Sequence, residues 1–291
     1  MSFVGLGIYH IRHANVANVR MALANSGSAD IGTAVIAWRD DNDAYDHMWL
    51  VQPVPNEADT YTIRNLSTGT YADLSGSSPK NGTHVIGWSK NGANNQKWII
   101  KKDGSDGSRW KSQNKATGTF MDLYGGGGSG TNIVGWEGSW TNGNGNQQWL
   151  FERLSVTASN VNDSLKISHV IRQDFKSYLE DGLYLIPTKE QLSSILQNSG
   201  LTKTKWRTDI FDCDDFATVL KAEVSKWGNV SFKADGFAVL CGMMFGSKDS
   251  AAHAYNWTLD RTDNLRIWFL EPQNGQYSED AWGYKGYFGL F

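Results

Sequence analysis

Two kinds of apolar patterning divide the 291-residue chain. Up to about residue 154 the apolar positions come in short runs such as VRMAL, AVIAW, TYADL, HVIGW, TFMDL and NIVGW, separated by Gly, Asn and Ser. Runs this short with turn residues between them predict strands. Beyond residue 160 helical spacing sets in. In PTKEQLSSILQNSG, Thr188 and Gln191 form a capping-box pair, Leu192, Ile195 and Leu196 share a face, and Gly200 supplies the stop. Phe216, Leu220, Val224 and Trp227 predict a second helix that ends at Gly228. Three strands are then expected, in GFAVLCGMMF, AHAYNWTLD and LRIWFLEP, the middle one placing His253, Tyr255 and Trp257 on one face. The change of pattern predicts an all-β domain over 1–154 and an α+β domain over 155–291, a length that gives each its own core.

The first half repeats. DHMWL, NQKWI and NQQWL place Trp49, Trp98 and Trp149 at spacings of 49 and 51 residues, and each is preceded by an apolar run closing on Trp38, Trp88 or Trp136. One such unit cannot bury its apolar face alone, whereas three packed together can. The QKW and QQW phrases resemble the Q-x-W signature of ricin-type β-trefoil lectins, over roughly residues 5 to 153. In that family the Q-x-W tryptophan is structural, which assigns Trp49, Trp98 and Trp149 to the core. Sugar binding needs an acidic acceptor for paired hydroxyls, an aromatic face for the apolar side of the ring, and an amide. The family pattern falls on Asp73, Trp88, Asn95 and Gln96 in the second repeat, and on Asp122, Trp136, Asn146 and Gln147 in the third. In the first, Ala22 and His47 replace the aspartate and the glutamine, although Trp38 remains. Two working sites and one degenerate site are expected.

Composition narrows the partners. The net charge is −3, and no basic run exceeds a pair, which argues against nucleic acid. No stretch reaches membrane-spanning length, so no transmembrane segment is expected. MSFVGLGIYHIRHANVA lacks a basic start leading into a long apolar run; a cytoplasmic protein without a secretory signal is expected, acting on ingested or contacted target-cell glycans. Two cysteines, Cys213 and Cys241, are too few for a disulfide framework and are expected as thiols.

Cys213 carries the chemical question. It lies in IFDCDDFA, between Asp212 and the pair Asp214 and Asp215. One carboxylate about 6 Å away at an effective dielectric near 20 opposes a thiolate by about 2.8 kcal/mol, or about two pK units. The start of the predicted helix favours an anion, but only by about 0.3–1 kcal/mol. A cysteine at a helix start, a histidine (His253) on a following strand and a carboxylate (Glu271) at the end of the next strand come in the order of papain-like cysteine peptidases. The sequence motif usual around the papain cysteine is absent.

Longer matches, through RQDFKSYL, FDCDDFATV, FGSK, AHAYNW, FLEPQNG and the ending YFGLF, resemble the mushroom chimerolectins typified by the Marasmius oreades agglutinin. The resemblance implies a ricin-type β-trefoil followed by a papain-like α+β domain that dimerises and acts as a calcium-dependent cysteine endopeptidase. It implies Cys213 as nucleophile, His253 as base and Glu271 as the residue orienting it, where Asn is commoner in papain-like enzymes. Calcium, with manganese as its potential replacement, would take oxygens from Asp214, Asp215, Gln273 and Asn274 and reverse the opposition to the thiolate. Trp206 is nominated as a second oxyanion donor beside the Cys213 amide. The implied partners are galactose-containing or sialylated glycans, a peptide substrate and a second copy of the chain, whose contact the apolar tail AWGYKGYFGLF would supply. Three other readings stand beside this one. The first is a pure agglutinin whose second half only dimerises. The second is a glycosidase using Asp214 and Glu271. The third is a zinc site at Cys213 and His253, for which the usual ligand spacing is missing.

Overall fold

The computed structural model describes residue 3 and residues 5–40, 44–178, 181–263 and 265–291. The chain forms two compact units. The first runs to Leu154 and includes Ser231–Asp235; the second comprises Ser155–Val230 and Gly236–Phe291. The run expected as one domain from 155 onward thus lends the segment Ser231–Asp235 to the first unit.

In the first unit each repeat contributes four strands. They are β1 (Gly7–His13), β2 (Val19–Leu23), β3 (Thr33–Arg39) and β4 (Met48–Pro53) in the first. The second supplies β5 (Thr60–Asn65), β6 (Tyr71–Leu74), β7 (Thr83–Trp88) and β8 (Trp98–Lys102). The third supplies β9 (Trp110–Asn114), β10 (Phe120–Leu123), β11 (Ile133–Trp136) and β12 (Trp149–Arg153). Around a closed antiparallel ring, β1 pairs with β12 and β4, β5 with β4 and β8, and β9 with β8 and β12. Closure leaves the ring without an open edge. The remaining strands form three hairpins, β2–β3, β6–β7 and β10–β11, joined through β3–β7, β7–β11 and the Ile36–Asn132 bridge. This is the expected β-trefoil.

Trp49, Trp98 and Trp149 are fully buried, as the repeat phrase required. Their indole N–H groups donate to the carbonyls of Met21 (2.8 Å), Ala72 (2.9 Å) and Met121 (3.1 Å), so one bond pins each ring strand to its own hairpin. The hairpins are linked in a cycle. Gly32, Gly82 and Gly130 donate their N–H groups to the carbonyls of Gly87, Gly135 and Ala37, at 2.9, 3.0 and 2.7 Å. Their φ angles of +93°, +85° and +89° favour glycine. A Cβ there would lie 3.8–3.9 Å from the rings of Trp88, Trp136 and Trp38, respectively, each in another repeat.

The second unit carries β13 (Ser155–Thr157), β14 (Ile171–Tyr178), β15 (Leu183–Leu185), β16 (Ala238–Val239), β17 (Gly242–Lys248), β18 (Ala251–Leu259), β19 (Ile267–Leu270), β20 (Tyr277–Ser278) and β21 (Lys285–Leu290). A six-stranded sheet runs β14-β21-β17-β18-β19-β20, and a small one β13-β15-β16. The helix Lys189–Ser199 has the expected capping box and a left-handed Gly200. GFAVLCGMMF is not one strand. It breaks after Val239, because β16 belongs to the small sheet and β17 to the large one. The helix beginning at Cys213 also runs past Gly228 to Ser231. A Cβ on Gly228 would come within 2.9 Å of Val239, so that glycine serves close packing rather than termination. The apolar tail, expected to meet a second copy, is partly packed within the chain, and Trp282, Tyr284, Tyr287 and Phe288 remain half-buried. β21 is an interior strand, and Phe291, 1% exposed, packs on Trp257 at 4.8 Å between ring centroids.

Trp98→Phe removes the bond to Ala72 and leaves a void in a closed core. It is expected to lower the unfolding free energy in urea by about 2–4 kcal/mol. A loss below about 0.5 kcal/mol would show that the indole bond does not pin the repeat.

Candidate functional site

The second repeat gathers its polar residues around Asp73. β6 carries Asp73, buried, opposite Ile86, and places Tyr71 opposite the half-exposed Trp88. The turn Asn94–Gln96, which precedes the core Trp98, turns its amides back on that carboxylate. Asn95 Nδ2 donates to Asp73 Oδ1 at 2.7 Å, and Gln96 Nε2 to Oδ2 at 2.9 Å. A third amide, which the motif did not predict, also reaches it: Asn91 Nδ2 donates to Oδ2 at 3.2 Å. Asn91 in turn donates its backbone N–H to Gln96 Oε1 (3.0 Å), and Gln96 is further tied to the Ser89 carbonyl (2.8 Å). Burial raises the Asp73 pKa against the three amides, which pull it down. An ionised carboxylate offers about four acceptor positions. Three are taken, and capacity remains for a sugar hydroxyl.

The third repeat has the same plan with fewer restraints. Asp122 is buried on β10, and Gln147 bonds to it while donating to the Glu137 carbonyl at 3.0 Å. A Cβ on Gly138 would lie 2.2 Å from Gln147 Oε1, so a larger residue there would have to displace that amide. Asn146 Oδ1 faces Gly126, 2.9 Å from where a Cβ would stand. Desolvation, opposed by the Gln147 bond, pushes the Asp122 carboxyl up to about 6. Tyr124, 54% exposed, lies 6.0 Å from the Trp136 ring and adds a second aromatic surface. The motif did not flag Tyr124, and the signal that would have found it is its position directly after Leu123, where the second repeat has Ser75. In the first repeat, Ala22 and His47 are buried, and the exposed Trp38 has Arg39 over its ring at 5.9 Å. No acidic acceptor stands at position 22.

In the second unit, His253 and Glu271 are brought together: His253 Nε2 lies 2.6 Å from Glu271 Oε2. Glu271 is 8% exposed, and its Oε1 accepts from the Gln273 N–H at 3.2 Å. With Nε2–H donated to the carboxylate, Nδ1 is the imidazole atom left to take a proton. Cys213 opens its helix and packs with Ala217, Met243 and Ala254. The helix is fixed to β18 by Asn256, whose amide donates to the Ala217 carbonyl at 2.9 Å. The thiol is bonded by the backbone of Ala254, the residue next to His253 on β18. Its pKa is raised, first by burial and then by the charges of Asp212 and Asp214, with the Ala254 and Asp214 backbone opposing. Cys241 is buried in the core, which pushes its thiol up to about 12.

The acidic residues divide their roles differently from the sequence pattern. Asp212 and Asp214 share a hydrogen bond that raises the Asp214 pKa and lowers that of Asp212. Ligand atoms of Asp212, Cys213 and Asp214 all lie within 4.8 Å of one another. Asp215 Oδ2 instead accepts from the Asp212 N–H at 3.1 Å, as the reciprocal residue of a helix cap does. Gln273 and Asn274 belong to the turn after Glu271, where Asn274 Oδ1 accepts from the Gln276 N–H at 2.9 Å. Trp206 is 48% exposed, just ahead of a turn closed by Arg207 and Phe211. Among the described residues, no helix is long and apolar enough to cross a membrane.

Residues 3–88 and 45–136 match the ricin-type β-trefoil lectin domain-like family, and residues 184–277 match the agglutinin C-terminal family. No curated protein matches the chain. Among solved structures, the Polyporus squamosus lectin bound to a human-type influenza-binding epitope, a sialic acid–galactose–N-acetylglucosamine trisaccharide, is 51% identical, with a TM-score of 0.90 and full coverage of both chains. PSL1a in complex with E-64 is also 51% identical over all of both chains, with a TM-score of 0.89. The chain belongs to the family of the Polyporus squamosus lectin, in which a ricin-type β-trefoil lectin domain is joined to an agglutinin C-terminal domain.

Proposed function

We propose that the chain is a lectin for sialylated, galactose-containing glycans, bound at the second and third repeats, and that its second unit is a papain-like cysteine endopeptidase dependent on calcium. The observation that carries the lectin reading is the carboxylate of Asp73, gripped by three amides beside the exposed face of Trp88. Ordered amides orient the remaining carboxylate lone pairs toward a hydroxyl, while the indole takes the apolar face of the ring. The relative crystallised with a sialylated trisaccharide supports the glycan class.

For the peptidase, the carrying observation is the short His253–Glu271 bond next to the Cys213 helix start. Glu271 fixes the Nε2–H tautomer and stabilises the imidazolium. His253 Nδ1 takes the thiol proton, Cys213 Sγ attacks the peptide carbonyl, and the imidazolium returns its proton to the leaving amine. Backbone N–H groups at the helix start are the nearest oxyanion donors, and the exposure of Trp206 makes it a weak second one. Asp212 and Asp214 fit a cation, since two carboxylates that hold a proton between them at a thiol can exchange it for a metal. When bound there, calcium supplies the positive charge that favours the thiolate.

Asp73→Ala combined with Asp122→Ala is expected to abolish glycan-array binding, whereas Trp38→Ala leaves it largely intact; strong residual binding by the double variant would overturn the site assignment. Binding at the third repeat alone is expected to weaken as pH falls through about 6, as Asp122 takes a proton and loses its charge and part of its acceptor capacity. The sign for folding is opposite. A buried carboxyl with a raised pKa costs stability in its charged form, so this group destabilises less in acid. Calorimetric titration of Asp73→Ala across that range separates lost binding from unfolding.

Iodoacetamide at neutral pH is expected to alkylate Cys213 much faster with calcium present, with proteolysis following the same titration. Buried Cys241 serves as the silent internal control. Cys213→Ala should end proteolysis and spare sugar binding, and Asp214→Ala should remove the calcium response. If a chelator changes neither rate, the calcium switch is wrong; if no proteolysis appears with calcium present, the pure lectin reading stands instead.

A further inference from the structure

The turn that precedes the core tryptophan in each repeat, which carries the candidate sugar-site amides in the second and third, is held by a side chain from a ring strand. Asn65, at the end of β5, donates Nδ2–H to the Asp46 carbonyl at 2.7 Å, and its Oδ1 accepts from the Ser67 and Thr68 N–H groups at 3.1 and 3.3 Å. Asn114, at the end of β9, does the same: it donates to the Asn95 carbonyl (2.9 Å) and accepts from the Ala116 N–H (3.1 Å). The third position of this pseudo-threefold set is a histidine. His13 Nε2 lies 3.3 Å from the Asn146 carbonyl, and Nδ1 accepts from the Asn15 and Val16 N–H groups at 3.3 and 3.0 Å. Strand register confirms the equivalence, since Asn65, Asn114 and His13 stand opposite Trp49, Trp98 and Trp149. The clamp on the third site therefore comes from the first strand of the chain.

A neutral imidazole protonated at Nε2 imitates a carboxamide, one atom accepting and one donating. Asparagine cannot titrate and histidine can. A proton on Nδ1 would aim a donor at two N–H donors, and a buried group left so opposed is costly. We propose that His13 is a positioning residue of the third carbohydrate site, holding the Gly145–Gln147 turn while neutral and releasing it when its imidazole gains a proton.

The surroundings agree. Trp149 of β12 presents its ring edge-on at 5.1 Å, and the turn presents the backbone of Gly145 and Asn146. The charged group facing the ring is Arg109, which donates to Asn15 Oδ1 at 2.6 Å. Burial first, and Arg109 in addition, lower the His13 pKa, while the two backbone partners raise it. Because the folded value lies below the ordinary 6.5, the clamp contributes fully above that pH and weakens as pH falls beneath it. Asp122 is the other titrating group of this site.

The proposal rests on the third repeat binding sugar, so the test keeps the two apart. With the second site disabled by Asp73→Ala, binding of the sialylated trisaccharide is measured from about pH 7.5 to about 5. His13→Ala is expected to weaken it about tenfold at neutral pH, the loss of one net hydrogen bond, and His13→Asn to restore it within about twofold. In acid, the native residue should give a two-proton loss of affinity, and His13→Asn the one-proton loss of Asp122 alone. Full affinity in His13→Ala, no restoration by His13→Asn, or superposed pH profiles would each overturn the proposal. Second-site binding in an Asp122→Ala background reports folding, and should be untouched by His13→Ala. Nitrogen-shift NMR of the unliganded protein should find His13 protonated at Nε2; an Nδ1–H tautomer sinks the clamp whatever the sugar does. If Asp73→Ala binds no trisaccharide at neutral pH although the tautomer is as expected, the third-site reading fails and takes the positioning role with it.

Discussion

Three buried indole N–H groups govern what the first unit can present to solvent. Each donates to a carbonyl immediately before position 22, 73 or 122, the position that either carries a carboxylate or has lost one. A buried N–H without an acceptor is costly, so the strand carrying that position cannot slip without unmaking the core. The binding residues inherit this precision. Asp73 meets three amides because the core tryptophan that follows Asn94–Gln96 is itself bonded one residue upstream of Asp73. The proposed sugar sites thus rest on a packing constraint that touches no sugar.

The second unit solves a different problem. To serve the proposed peptidase the Cys213 thiol must be reachable and ionisable, yet burial dominates the resistance to ionisation, ahead of the neighbouring carboxylates. Asp214 and Asp212 share a hydrogen bond rather than standing as separate charges, which softens the repulsion the sequence suggests. Asp215 stabilises the helix start mechanically through the Asp212 N–H. The same short segment therefore anchors a helix and sets the charge at its first residue.

Most of the architecture was legible, for reasons particular residues make plain. Repeated tryptophans announce a repeated core, and Thr188 with Gln191 announces a helix start, since both are local signals whose partners lie within a few residues or one repeat. What escaped notice depends on distance along the chain. Asn91 lies 18 residues from Asp73, and no spacing rule joins them. Tyr124 gains meaning only when β10 and β11 place it near Trp136. The break in GFAVLCGMMF was invisible because an apolar run does not say which sheet each half joins. The bond that Asp215 accepts from the Asp212 N–H was equally invisible, because sequence cannot show which way a carboxylate turns.

The first repeat retains an exposed tryptophan although alanine stands at position 22, where the other two repeats carry an aspartate. The hairpin cycle gives it another purpose. A Cβ on Gly130 of the third repeat would stand 3.8 Å from the Trp38 ring, much as one on Gly32 would from Trp88 and one on Gly82 from Trp136. The three rings and the three glycine loops close a cycle, and the ring of Trp38 stands beside the loop that leads into Ile133–Trp136. A sugar site can therefore lose its polar atoms while its ring keeps a packing neighbour in another repeat. An ancestor made of one such unit would have been obliged to assemble as a trimer, and drift among the fused copies is free only where no neighbour leans on the residue that changes.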